Sequence, residues 1–161
     1  MFDEKSTVYI KTPLGIAKIQ GDEYGISFIS IADEGSISAT IPEVLQEAVS
    51  QLNDYFEGNR TDFNFKLNPS GTEFQQKVWK ALVEIPFGKT MSYMDLSKKL
   101  GDVKAIRAVA SANGKNPLWI VIPCHRVIGS DGSLTGYAGG LWRKKWLLEH
   151  ENPARRQELL F

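Results

Sequence analysis

Apolar positions cluster in three short β-branched or aromatic runs, at 8–12, 16–20 and 26–31. Turn residues separate them, Pro13-Leu14-Gly15 first and then a stretch that opens at Gly21 and closes at Gly25. Such runs between turn signals predict a small antiparallel meander. Pro42 suits the first turn of a helix. Leu45, Ala48, Val49, Leu52, Tyr55 and Phe56 then recur at helical spacing until Gly58-Asn59 stops them. Phe63, Phe65 and Leu67 alternate with polar residues and predict one more strand or extended segment.

Asn68-Pro69-Ser70-Gly71 reads as a linker between a domain at 1–70 and another at 71–161. Beyond it the period changes. Thr72 and Gln75 form a capping-box pattern. The stripe Phe74, Val78, Leu82 and Ile85 then predicts a helix, closed by Pro86-Phe87-Gly88. Ser92 can cap a short helix holding Leu96 and Leu100, and Asp102, after Gly101, can cap another reaching about Gly114. Two short helices joined at a Gly-Asp turn form a helix-turn-helix pattern, which ordinary helix corners share. Leu118 to Ile122 is continuously apolar and predicts a short buried strand ended by Pro123. Gly136 to Gly140 is a glycine-rich loop, and a helix resumes from Leu141 to Glu151 with Trp142, Trp146 and Leu147 apolar.

The chain has 161 residues, 42% of them apolar and 24% charged, enough to bury a core and too ordered in composition for a disordered or fibrous protein. No apolar run approaches the roughly 18 residues of a membrane span. Met1-Phe2-Asp3-Glu4-Lys5 lacks the apolar stretch of a secretory signal. Formal net charge is zero, yet up to Ser70 there are 5 basic against 11 acidic residues, and from Gly71 onward 14 against 8. A half at −6 beside a half at +6 is the pattern of a polyanion-binding module next to a non-binding one, or of chance clustering.

There is one cysteine, Cys124, so an intrachain disulfide is impossible, and only His125 and His150 could join it on zinc. A lone thiol without a signal peptide predicts a cytoplasmic protein. Such a residue reads either as a small buried hydrophobe or as a nucleophile. The nucleophilic reading needs a proton acceptor, because a free thiol with a pKa near 8.5 is mostly protonated at neutral pH. His125 is adjacent, and Glu149 or Glu151 could orient it. Neighbouring Cys and His side chains seldom bond directly, so a bridging water is expected. The helix ending near Gly114 carries Ala105, Ala108, Ala110, Ser111 and Ala112, with Arg107 the only long cation between Lys104 and Lys115. Small side chains permit close approach to another helix or to DNA. Arg107 amid alanines offers little base-reading chemistry, which points to shape and phosphate contacts.

Pro123-Cys124-His125-Arg126-Val127 resembles the active-site pentapeptide of the O6-alkylguanine-DNA alkyltransferases, the methylated-DNA–protein-cysteine methyltransferases. Phe87-Gly88 with Ser92-Tyr93, Arg107-Ala108-Val109, Asn116-Pro117, Gly136-Tyr137-Ala138-Gly139-Gly140-Leu141 and Trp146-Leu147-Leu148-Glu149-His150-Glu151 also resemble family segments, across about 74–151. The resemblance implies an α+β fold: a small N-terminal ribonuclease-H-like α/β domain, then a mostly helical C-terminal domain with a winged-helix-like helix-turn-helix. It implies direct-reversal repair of O6-alkylguanine, and of O4-alkylthymine, in double-stranded DNA. A flipped nucleotide would give its alkyl group irreversibly to Cys124 in a single turnover.

By the same resemblance His125 deprotonates Cys124 through water, Glu151 holds the imidazole, and Tyr93 protonates ring nitrogen 3 of the departing base. Asn116 ties the recognition helix to the active-site segment. The carbonyls of Cys124 and Val127 accept from the exocyclic amine, the Ala138 amide points at oxygen 6, and Tyr137 and Gly139 wall the pocket. Arg107 fills the stack, while Ala108, Ala110, Ser111 and Tyr93 meet DNA in the minor groove. No metal or other cofactor, no membrane and a monomeric state are implied. Some members have Ser where Ala138 stands, and some carry a structural zinc whose ligands this chain lacks. Three rivals remain: a non-catalytic alkyltransferase-like lesion binder, which Cys124 argues against; a helix-turn-helix regulator; and a Cys-His acyl hydrolase.

Overall fold

The computed structural model describes residues 5–134, 137 and 139–154. It divides into two units, one formed up to Ser70 together with Pro117–Trp119, the other by Gly71–Asn116 and the chain from Ile120.

In the first unit the three β-branched or aromatic runs become β1 (Ser6–Thr12), β2 (Gly15–Asp22) and β3 (Gly25–Ala32), an antiparallel meander in that order. The register sets Val8 opposite Ile19 and Ile29 opposite Ile19. One face therefore collects Val8, Ile10, Ala17, Ile19 and Ile29, all buried, while Tyr9, Lys11 and Phe28 face outward. Pro42 precedes a 3-10 turn over Glu43–Leu45 that leads into α1 (Gln46–Phe56). Ala48, Val49, Leu52 and Tyr55 are its buried stripe. The Phe63–Phe65–Leu67 alternation does not form a strand. Leu67 makes one isolated bridge to Ile26, with Ile26 N–H donating to Lys66 O at 2.9 Å. Phe63 instead packs on the Tyr55 ring, centroids 5.5 Å apart.

In the second unit α2 (Glu73–Val83) begins with the expected capping box. Thr72 Oγ1 accepts from Gln75 N at 3.1 Å, and Gln75 Oε1 accepts from Thr72 N at 2.9 Å. Removing this cap as Thr72→Ala is expected to cost about 1 kcal/mol, read as a lower midpoint in thermal or urea unfolding. Then come β4 (Met91–Ser92), α3 (Tyr93–Lys99) and α4 (Ile106–Gly114). Ser92 caps α3 as expected, accepting from Asp95 N, whereas Asp102 caps a 3-10 turn over Val103–Ala105, accepting from Lys104 N, and α4 follows from Ile106 without a side-chain cap of its own. Gly101 turns the corner at φ +89°, a conformation that suits glycine. Trp79 Nε1 donates to Ala112 O at 2.9 Å and locks α2 against α4.

The apolar run at 118–122 is not a strand. Leu118 makes a single bridge to Ile29, and the chain then turns, with Ile120 at φ +71° and buried. A β-branched residue in the left-handed region is strained by roughly 1–2 kcal/mol. Cys124 therefore follows a tight turn, not the end of a strand. It opens a 3-10 turn over Cys124–Arg126, which leads into β5 (Val127–Ile128). The last element, α5 (Leu141–Glu151), has the expected bounds. Among the described residues no helix is long and apolar enough to cross a membrane, and no group of three or more His, Cys, Asp and Glu is placed to hold a metal.

Candidate active site around Cys124

The position of Cys124 is set from both sides of its turn. Upstream, Asn116 Nδ2 donates to Ile122 O at 2.7 Å, and Cys124 N donates to the same carbonyl at 2.8 Å. Downstream, Val127 N–H closes the turn on Cys124 O. β5 then pairs in parallel with β4, Met91 opposite Val127 and Ser92 opposite Ile128. Ser92 also caps α3, so the residue that starts this helix, Tyr93, directly follows the strand paired with β5.

Three charged or polar side chains are buried beside the thiol. His125 is 0% exposed, and its Nε2 meets Glu151 Oε2 at 2.7 Å. Arg126 clamps the same carboxylate, Nε to Oε1 at 2.8 Å and Nη2 to Oε2 at 3.1 Å. Its Nη1 donates to Ile85 O at 2.6 Å, and its guanidinium lies 5.9 Å from the Phe87 ring centre. Gly88 N reaches Glu151 Oε1 at 3.5 Å. A Cβ at Gly88 would stand 3.2 Å from Glu151 O and strain its φ of +80°. The Phe87-Gly88 turn, the Cys124 turn and the end of α5 are thus joined through one carboxylate.

Burial alone would raise the Glu151 carboxyl pKa. The charge and hydrogen bonds of His125 and Arg126 overcome it and hold the group well below the usual carboxylate range. Burial pushes the His125 pKa down; Glu151 pulls it up, and Arg126 and Lys144 push it down further. The imidazole is therefore neutral at rest, and Arg126 supplies the standing positive charge. With Nε2–H given to Glu151, the basic lone pair is on Nδ1, which is buried without a hydrogen-bond partner. Burial pushes the Cys124 thiol pKa up, while hydrogen bonds from Asn116 and Tyr137 and the charge of Lys144 pull it down. The site thus holds a thiol that resists ionising, a neutral base, and a pinned carboxylate to receive the imidazolium.

Lys144 was not among the residues that sequence reasoning selected. It is 0% exposed, its Nζ lies 5.9 Å from the Tyr137 ring, and burial pushes its pKa down to about 8 against the pull of Cys124. The signal was available: Lys144, Leu147, Leu148 and Glu151 fall at i, i+3, i+4 and i+7 and share a helix face. The resemblance gives Arg126, inside the pentapeptide, no role; the structure makes it the clamp on Glu151. Trp142, read as apolar helix content, is 54% exposed, and Trp146 stacks on His150 with centroids 4.8 Å apart.

The structure brings together Cys124, His125, Asn116, Val127 and Glu151. Gly139 O accepts from Arg143 Nη1 at 2.9 Å. Ala138, expected to offer its amide to oxygen 6, lies outside the described residues. Glu149 does not orient His125; one of its carboxylate oxygens is buried without a partner. On α4, Arg107, Ala108, Ala110 and Ser111 are all exposed, while Val109, Ala112 and Asn113 face inward. The outer face is flat apart from one arginine.

Two family models match the chain. One, described as 6-O-methylguanine DNA methyltransferase, ribonuclease-like domain, covers residues 6–69. The other, described as 6-O-methylguanine DNA methyltransferase, DNA binding domain, covers residues 73–153. A methylated-DNA–protein-cysteine methyltransferase of Methanosarcina acetivorans is 45% identical over 148 residues, 88% of this chain and 94% of that one. One from Mycobacterium tuberculosis is 54% identical over 110 residues, 68% of this chain and 67% of that one. Among solved structures, the Mycobacterium tuberculosis O6-methylguanine methyltransferase superposes with a TM-score of 0.83 at 41% identity, covering 93% of this chain and 94% of its own. The crystal structure of Mycobacterium tuberculosis OGT in complex with DNA superposes with a TM-score of 0.83 at 43% identity, covering 91% of this chain and 93% of its own.

Proposed function

The chain belongs to the 6-O-methylguanine DNA methyltransferase family, and from that premise we propose that it reverses O6-alkylguanine damage in duplex DNA by moving the alkyl group to Cys124. The observation that carries the reading is the buried His125–Glu151 pair at 2.7 Å beside the only thiol in the chain. O4-alkylthymine, with the same kind of oxygen-bound alkyl carbon, is accepted as a second substrate. The first unit is a ribonuclease-H-like domain, the second a winged-helix-like helix-turn-helix domain, and the protein works as a cytoplasmic monomer.

The base must leave the stack before an alkyl carbon on oxygen 6 is open to in-line attack. α4 lies in the minor groove with Ala108, Ala110 and Ser111 against the backbone, and Arg107 occupies the space left by the flipped nucleotide. The Cys124 proton passes to His125 Nδ1 through a bridging water, and Glu151 stabilises the imidazolium. The sulfur attacks the alkyl carbon; the carbon–oxygen bond breaks, and its electron pair moves onto oxygen 6 and the purine ring. Tyr93 gives a proton to ring nitrogen 3, which makes the base a better leaving group. The carbonyls of Cys124 and Val127 hold the exocyclic amine, and Tyr137 and Gly139 close the pocket. The sequence has no second thiol to accept the group, so each molecule acts once.

Mass spectrometry after mixing with a duplex containing O6-methylguanine tests this. One methyl is expected on the peptide containing Cys124, with repaired guanine never exceeding the protein added. Repaired DNA in multiple excess over protein would rule out the suicide reaction. Arg107→Ala is expected to slow repair in duplex by about tenfold or more while slowing attack on free O6-benzylguanine much less, since only the duplex needs the extruded base replaced. Equal losses on both substrates would remove Arg107 from that role.

A further inference from the structure

We propose that Asn113 is the positioning residue for the Tyr93 hydroxyl: its buried side-chain amide donates to the phenolic oxygen and leaves the phenol's own proton for the base in the pocket. The inference rests on the alkyl-transfer reading above and deepens it at the leaving-group end.

Asn113 sits in the last turn of α4, 4% exposed, on the same inward face as Val109 and Ala112. Packing gives no reason for an amide there, because burying one without full hydrogen bonding is costly. Its Nδ2 meets Tyr93 Oη at 3.5 Å, and its Oδ1 has no hydrogen-bond partner. The amide is thus held half-satisfied, and its one side-chain bond goes to Tyr93. The tyrosine backbone is fixed independently: Ser92 caps the helix that Tyr93 begins, Ser97 Oγ donates to Tyr93 O at 2.9 Å, and Ser92 pairs with Ile128. What remains to be set is the direction of the phenol's proton.

A phenol oxygen carries one proton and two lone pairs. When an amide N–H occupies a lone pair, the proton must point elsewhere. The separation is long for a hydrogen bond in the free protein, as catalytic contacts often are before substrate draws them in. In the transfer step the Sγ–C bond forms and the C–O6 bond breaks. The thiol's proton stays on His125, and ring nitrogen 3 takes the Tyr93 proton. Negative charge then builds on the phenolic oxygen, facing the Asn113 N–H, until solvent returns the proton after the base departs. α4 presents Arg107, Ala108, Ala110 and Ser111 on its outer face and Asn113 on its inner one. One rigid helix would seat the DNA and aim the acid.

The test is a double-mutant cycle on single-turnover methyl transfer from an O6-methylguanine duplex, using wild type, Asn113→Leu, Tyr93→Phe and the double variant. Asn113→Leu is expected to lower the maximal rate about fivefold, the effect of one neutral hydrogen bond, without a matching rise in the half-saturating DNA concentration. In the Tyr93→Phe background the same change is expected to add nothing. An Asn113→Leu loss of equal size in both backgrounds, or a variant as fast as wild type, would overturn the assignment. Asn113→Ala, which adds no bulk to the helix interface, runs through the same cycle should the leucine variant not fold. A wild-type protein that moved no methyl group would instead sink the alkyl-transfer reading itself, a result this cycle keeps separate.

Discussion

Glu151→Ala is expected to lower the stability of the protein by about 3–5 kcal/mol and to slow alkyl transfer by about 10²-fold. The stability loss comes from Arg126. Its guanidinium is buried and donates two hydrogen bonds to this carboxylate. Removing the acceptor strands a charge in a low-dielectric site, which is far worse than never having placed it there. The rate loss comes from His125, whose tautomer is set by the 2.7 Å contact to the same group. Urea unfolding and single-turnover repair, measured on one preparation, check both. A variant with an unchanged unfolding midpoint would show that the carboxylate does not hold the three segments together.

The same site predicts how stability depends on pH. Glu151 has its pKa depressed on folding, so its contribution is fully present above its unfolded value near 4.5 and is lost as pH falls from there toward the folded value. His125 is also depressed: the unfolded imidazole takes up a proton near 6.5, the buried one resists it, and stability again falls on the acid side. Both groups act in one direction. Stability should begin to decline below about pH 6.5 and fall more steeply below about 4.5. In Glu151→Ala the lower, steeper limb should flatten.

The parts of this fold that were legible in the chain are those whose causes are local. The meander needs only short β-branched or aromatic runs and the turn residues between them. The cap at Thr72 needs only Gln75 three residues on. Pro123-Cys124-His125 marks itself by adjacency. What could not be read depends on distant partners. Arg126 looks like a surface arginine until Ile85, 41 residues earlier, and Glu151, 25 residues later, are brought against it. Leu118 to Ile122 has the composition of a buried strand and is buried. Only Leu118 finds a strand to pair with, however, and Ile122 O is taken by Asn116 Nδ2 and Cys124 N, so the backbone turns. α5 reverses the usual rule. Arg143, Lys144 and Glu151 are inside and Trp142 is outside, because the inward face of that helix carries chemistry as well as core.

Lys144→Met is expected to make the protein more stable and less active at once. The wild-type ammonium is wholly buried, and its pKa is pushed down to about 8, so keeping it charged at neutral pH costs free energy that a thioether of similar length does not. A gain of about 1–3 kcal/mol is in line with replacing buried charge by apolar volume. The activity loss follows from what the charge faces. Cys124 has its pKa raised by burial, and Lys144 is among the groups pulling it back down. Without that pull the thiolate fraction at neutral pH drops tenfold for about each unit by which the thiol pKa rises. Lys144 also pushes the His125 pKa down, so its loss makes the imidazole a stronger base and offsets part of that drop. At neutral pH, where the ammonium is still charged, Cys124 in Lys144→Met is expected to react more slowly with a small alkylating agent than the wild-type thiol does. At high enough pH, where both thiols are ionised, the two rates should converge. A stabilised protein with the wild-type profile would mean that Lys144 acts on something other than the sulfur, whereas a destabilised one would mean that the ammonium is held by bonds strong enough to repay its burial.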